Sequence, residues 1–390
     1  MPRINPEMLK WAREAAVLPL DDAARKIGLQ STKTATGADK LARLESGEKA
    51  PSYKQLTSMA NAYHRPLITF YLGKPPVIED KGGDYRKLPA DFSRAENALL
   101  EALIRDVKAR QGMIRSLLED EEEAQPLPIV ASLAKQDGVP AVTAAIQAQM
   151  DITLEGIKQC PDKGAVFNFV RAKAEAAGFF VLLAGDLGSH HSDISVEIFR
   201  GYAIADPIAP FIVINDNDSK GAWTFTLLHE IAHILLGEEG VSNTWTENQV
   251  EKFCNEVAAS LLVNMAELTE LGISQKSARE DMLATIRHFS ATRNLSNTFV
   301  AYNLYKAGCL SWGQYEDLSK EFREQWQARK QVAKKTSQGG GPPYHLIKRH
   351  RLGGAITDFV SRMMGEGALS PTKAAKILGV KAHNIRQVLG

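Results

Sequence analysis

His229, Glu230 and His233 are the residues of this chain best spaced for chemistry. They stand in the run His229-Glu230-Ile231-Ala232-His233, between the apolar stretches Phe225-Thr226-Leu227-Leu228 and Ile234-Leu235-Leu236, and the pattern predicts a helix. Residues four apart share a helix face, so both imidazoles can address one metal ion. Glu230 follows the first imidazole and is placed to reach a water on that metal rather than the metal itself. Zinc in such a site lowers the pKa of its water to about 7, and a carboxylate can take the proton as the water attacks a peptide carbonyl. Gly237 closes the periodic stretch as a helix C-terminus should. The alternative is a surface helix that happens to carry two histidines.

A catalytic zinc keeps three protein ligands and one open position. Downstream, residues 250–262 read as a second helix with Cys254, Val257, Ala258, Leu261 and Leu262 in an apolar stripe. Glu251 and Asn255 are four apart and border that stripe, so both can face the first helix. Glu251 then completes a His-His-Glu set, and Asn255 holds a ligand imidazole in its tautomer from behind. Glu256 points elsewhere and reads as solvated. The alternative for Glu251 is a charged residue favoured at a helix start by the macrodipole.

Gly201-Tyr202-Ala203-Ile204-Ala205-Asp206, Pro210-Phe211-Ile212-Val213-Ile214-Asn215, the His229–His233 run and the Glu251-x-x-Cys254-Asn255-x-Val257-Ala258-Ala259-x-x-Leu262 segment together resemble the ImmA/IrrE-type metallopeptidases. The resemblance covers roughly residues 160 to 312. It implies that His229, His233 and Glu251 bind Zn2+ and that Glu230 is the general base. It also implies a protein substrate, since members of the family cleave or inactivate helix-turn-helix repressors. One departure is visible: Val263-Asn264 stand near where the family's helix block ends in proline. That position bounds a helix and does no chemistry.

The elements that must position these residues alternate in type. Residues 166–177 read as a helix, and residues 179–183, 196–204 and 211–214 as strands, the last leading toward the motif helix. A few strands beside helices predict an α+β, zincin-like peptidase domain over residues 131–332, with a small sheet and all-α helix-turn-helix-like modules on either side. His190 and His191 fall in a polar loop and are left out of the catalytic set, and His288 reads as structural. Residues 95–123 carry Leu99, Leu100, Leu103, Ile104, Val107, Met113, Ile114, Leu117 and Leu118 as one helical stripe ending in an acidic run, a connector placed at 77–130.

Residues 1–76 resemble an XRE-type helix-turn-helix unit: helices over 6–16 and 20–27, then Leu44-Glu45-Ser46-Gly47, then Pro51-Ser52 opening a packing helix. Ala24 and Gly28 fit the spacing that locks two such helices, but Thr34 stands where a branched apolar residue belongs, so residues 30–39 read as an inserted polar loop. After a linker at 333–343, the module at 344–390 keeps the spacing better, with Ala375, Gly379 and Ile385 followed by Val388. Lys381, His383, Asn384, Arg386 and Gln387 then populate its second helix as candidate DNA contacts, these being types that meet phosphates and base edges. The alternative is a packing or dimerisation module, which keeps a homodimer among the partners considered.

Composition narrows the class. Hydrophobic residues make up 44% and charged residues 24% of 390, as in globular proteins. No apolar run predicts a membrane span or a signal peptide, and Cys160, Cys254 and Cys309 form no framework of disulfides, so a cytoplasmic protein is expected. A net charge of +1 gives no global attraction to nucleic acid, and DNA contact would need a local surface. Three functions compete on these grounds: a zinc endopeptidase acting on a repressor, a DNA-binding regulator with a sensing zincin domain, and a toxin-antitoxin component working by protein contacts. Glu230 favours the first, because a site that only senses metal has no need of a base there.

Overall fold

The computed structural model describes residues 3–76, 93–188, 192–242, 249–336 and 342–390. The fold is mixed α+β, and it divides into two units: residues 1–109 with 186–198, and residues 110–185 with 199–390.

In the first unit, α1 (Pro6–Ala15), α2 (Leu20–Ile27), α3 (Gly37–Glu45) and α4 (Tyr53–Ala62) precede a 3-10 turn at Leu67–Tyr71 and the first part of α5 (Arg94–Asp120). Leu9, Ala12, Ala23, Leu41, Leu56, Met59 and Phe70 form its core. Arg13 braces α1 on α3 through paired bonds to Glu45 at 2.7 and 3.0 Å. Gly28 closes α2 with a left-handed φ of 82°. The expected loop at 30–39 is shorter than the sequence suggested, because Thr36 and Asp39 form a capping box that starts α3 at Gly37.

The second unit holds α6 (Gly138–Met150), α7 (Leu154–Lys158) and α8 (Lys163–Ala176), then β1 (Phe180–Leu183), β2 (Gly201–Ile204), β3 (Phe211–Ile214), α9 (Lys220–Leu235), β4 (Gly240–Ser242) and α10 (Gln249–Leu262). Next come α11 (Met265–Thr269), α12 (Arg279–Thr292), α13 (Asn297–Lys306) and α14 (Trp312–Thr336), and last α15 (Tyr344–Leu352), α16 (Gly354–Gly365), α17 (Pro371–Leu378) and α18 (Ile385–Leu389). The sheet order is β1-β3-β2-β4, with β1 parallel to β3 and the other pairs antiparallel. Every residue of β1, β2 and β3 is buried, so both faces of the sheet are covered. The Asp206 side chain accepts from the amides of Ile208 and Ala209 and shapes the turn between β2 and β3. The strand expected over 196–204 begins only at Gly201. Ser195 takes the chain into a turn instead, its carbonyl accepting from the Ile198 amide at 3.1 Å.

α9 is a core helix. Leu227, Leu228, Ile231, Ala232, Ile234 and Leu235 are each 0% exposed, so apolar burial surrounds the motif on nearly all sides and the surface-helix alternative fails. Each large aliphatic buried there contributes about 1.5–3 kcal/mol. Together they outweigh the cost of taking two imidazoles and a carboxylate inside, about 1–3 kcal/mol for each unmet polar group. The helix ends as its glycine requires. Gly237 adopts a φ of 69°, its amide bonds the Ile234 carbonyl, and the Glu238 amide bonds the His233 carbonyl, which is the Schellman pattern.

The last four helices belong to the same unit as the sheet. Arg171 of α8 donates to the His350 and Arg351 carbonyls, Arg351 bonds Asp216 at 2.7 Å, and Phe359 packs edge-on against Phe180 of β1. The expected linker is helical as far as Thr336, and residues 337–341 lie outside the described ones. In the acidic run, Glu123 is not merely solvated: it pairs with Arg362 at 2.7 Å. No helix among the described residues is long and apolar enough to cross a membrane.

Candidate active site

α9 brings His229 and His233 to one face, and the first turn of α10 sets Glu251 against both. Glu251 Oε2 is 3.1 Å from His229 Nε2, and its Oε1 is 3.3 Å from His233 Nε2. The two imidazole Nε2 atoms are 3.0 Å apart. All three donor atoms fall within 4.8 Å of one another, a spacing one metal ion can bridge. Two imidazoles and a carboxylate are the donor set of catalytic zinc sites with an open fourth position. The residues therefore fit zinc.

Glu230 is fully buried, and neither of its oxygens has a hydrogen-bond partner of good geometry among the described residues. Burial pushes its pKa up to about 8, with His233 and the Ser242 hydroxyl offsetting the rise only in part. The carboxyl lies against Gly201 of β2, where a Cβ would collide with it and with the Thr226 methyl. Glycine at 201 thus makes the space that Glu230 occupies. This backbone is not left-handed; the requirement is for room.

Burial also acts on Glu251, but hydrogen bonds with His229 and His233 outweigh it and hold the carboxyl down at about 2. Burial lowers the pKa of His229. It acts the same way on His233, yet the thiol of Cys254 and the carboxylate of Glu251 outweigh it and raise that imidazole.

Of the residues read from the sequence, His229, Glu230, His233 and Glu251 are brought together. Asn255 is exposed on α10, with its amide acting on His229, while His229 Nδ1 is buried with no hydrogen-bond partner among the described residues. Glu256 is exposed and pairs with Lys306 at 3.2 Å. His288 is exposed on α12 and takes no core role. Lys381, His383, Arg386 and Gln387 are exposed and Asn384 is half-buried, but the element they were expected to populate is a 3-10 turn at Ala382–Asn384 followed by the short α18. His190 and His191 lie outside the described residues.

Three neighbours escaped the sequence reading. Ser242, at the end of β4, places its hydroxyl 3.1 Å from His229 Nε2. Cys254, read as part of the apolar stripe, is buried against His233. Gly201 was visible only as the first residue of an apolar run. None carries a local signal, because each role depends on an element distant in sequence.

Residues 185–295 match the family model of the IrrE N-terminal-like domain, Peptidase_M78. The match spans His229, Glu230, His233 and Glu251, and it indicates a hydrolase domain of metallopeptidase type. It does not reach the helical segments at either end of the chain. No curated protein matches the chain, and no solved structure does.

Proposed function

We propose that this protein is a zinc-dependent endopeptidase of the ImmA/IrrE type that regulates transcription by cleaving a helix-turn-helix repressor. The observation that carries the reading is the buried convergence of His229, His233 and Glu251 beside a buried carboxyl, Glu230, that makes no hydrogen bond of good geometry among the described residues. His229, His233 and Glu251 would hold the zinc, which when bound supplies Lewis acidity and a water of lowered pKa. Glu230 is the group that would take a proton and pass it to a leaving amine, since it lies beside the set and burial raises its basicity. β4 is an edge strand of the sheet and carries Ser242 beside His229. An extended substrate segment pairing along that edge would bring its backbone to the cluster.

The test compares wild type with Glu230→Gln for bound zinc and for cleavage of the repressor encoded nearest its gene. Near one zinc per chain in both, with cutting by wild type alone, is the expected result. Zinc in both with cutting in neither moves the weight to a sensing or contact role. Failure of either protein to take up zinc sinks the site.

A second reading has its own support. Lys381, His383, Arg386 and Gln387 are exposed around Ile385 and Val388, which are buried, so the C-terminal helices present a polar and basic face over an apolar base. That face favours DNA contact by this part of the chain, in addition to peptidase activity or in place of it.

A further inference from the structure

Phe225 and Phe299 are left half-buried in a chain where Phe167, Phe179, Phe199 and Phe211 are fully buried. Phe225 stands one turn before His229, so Phe225, His229 and His233 form a line at four-residue steps along α9. The Phe225 ring lies 6.3 Å from the His229 imidazole and 5.6 Å from the Phe299 ring of α13, tilted to both. α13 is tied to α10 by the Lys306–Glu256 pair at 3.2 Å, with Glu256 next to Asn255. Phe225 therefore adjoins the His229–His233 pair on its own helix face, and Phe299 of α13 extends that apolar surface.

A single half-exposed apolar side chain needs no explanation. Two contacting aromatic rings continuous with a cluster of buried polar donors are a different feature. Ligand sites combine an apolar lining with a few convergent polar groups, and here the two kinds of surface meet at His229. A peptide whose scissile carbonyl reached the cluster beside His229 would have this apolar surface next to it.

We infer that Phe225 and Phe299 form the pocket that selects a bulky apolar residue, such as Leu, Ile, Met or Phe, beside the scissile bond of a protein substrate. This rests on the peptidase reading above and names its substrate class. An acidic or glycine residue at that position gains nothing from the rings. The discrimination against it should be of the order of 10- to 100-fold, as in other apolar specificity pockets.

The full-length, zinc-loaded protein is given a pool of randomised peptides, and the cut sites are read by mass spectrometry. In parallel, labelled peptides carrying Leu, Phe, Gly or Asp at the selected position are titrated onto Glu230→Gln and followed by fluorescence anisotropy. Large apolar residues should be enriched on one side of the cut and bind Glu230→Gln about tenfold or more tighter than Gly or Asp. Phe299→Ala should flatten both preferences, and Phe299→Leu, which keeps an apolar surface, should restore most of them at an unchanged melting temperature. Cleavage without preference, or a preference that Phe299→Ala leaves intact, overturns the pocket while the peptidase reading stands. Neither cutting by wild type nor binding by Glu230→Gln overturns both.

Discussion

Glu230 and Glu251 are the same functional group on neighbouring helices, and their surroundings send them in opposite directions. Glu230 is enclosed against Gly201 with no hydrogen bond of good geometry among the described residues, and burial lifts it to about 8. Glu251 is also removed from water, but it faces two imidazoles at 3.1 and 3.3 Å and is held at about 2. A carboxylate that stays ionised suits a metal ligand, and one poised near neutrality suits proton transfer. Residue type alone distinguishes neither role; the partners do.

The largest effect expected from breaking this contrast comes from Glu251. Glu251→Gln removes the charge that orders both imidazoles and leaves a neutral amide oxygen as the weaker third donor of the proposed set. Zinc affinity should fall by more than the roughly 10- to 100-fold typical of losing a group that only supports a ligand. Competition with a chelator measures it, and zinc retained at wild-type affinity would remove Glu251 from the ligand set. Cleavage should be lost in parallel.

The second effect is on stability in chelator. Glu230 in the folded chain keeps its proton to about pH 8, whereas the ordinary value is 4.5. Between those values the folded state binds more protons than the unfolded one. Stability from this group therefore falls as pH rises, by at most about 1.4 kcal/mol per pH unit. Glu251 has the opposite sign, since its contribution is present above 4.5 and lost as pH falls toward about 2, which leaves the window from pH 5 to 8 to Glu230. The two imidazoles titrate in both proteins, so their part largely cancels in the difference between wild type and Glu230→Gln. Denaturant unfolding across that window should show Glu230→Gln gaining on wild type as pH increases. Parallel profiles would mean that the carboxyl finds a partner or water.

Much of this contrast could be read from sequence, and the reason is periodicity. Apolar residues at helical spacing located α9 and α10, and Gly237 marked the end of α9 by the one conformation that glycine reaches freely. Gly28 and Gly379 stand out by helix-turn-helix spacing instead, and both prove to be left-handed residues at the ends of α2 and α17. A glycine that stops one helix does not specify the next element: Thr36 starts a new capped helix beyond Gly28, whereas a 3-10 turn forms beyond Gly379. Strand pairing was less legible. Residues 196–199 are apolar enough for a strand but turn at Ser195, while β4 spans only Gly240–Ser242 and is too short to show alternation. Ser242 and Cys254 reach the imidazoles through tertiary packing, which no local pattern records.

Gly201 carries the smallest expected effect and the sharpest test of how Glu230 is held. Its backbone is that of an ordinary strand residue, paired with Ile214 of β3 and Ser242 of β4, so alanine fits the main chain. What alanine lacks is space, because its methyl would enter the volume of the Glu230 carboxyl and the Thr226 methyl. Overpacking of this kind costs about 1–3 kcal/mol. The relief available is for the carboxyl to move, since α9 is fixed by core packing on either side. Gly201→Ala should therefore lower the melting temperature modestly and leave zinc content unchanged, while cleavage drops at least tenfold. In Glu230→Gln, which has no proton acceptor to displace, the same substitution should change stability but not the residual rate. Loss of zinc from Gly201→Ala would show instead that the methyl moves α9 as a body, carrying His229 and His233 with it.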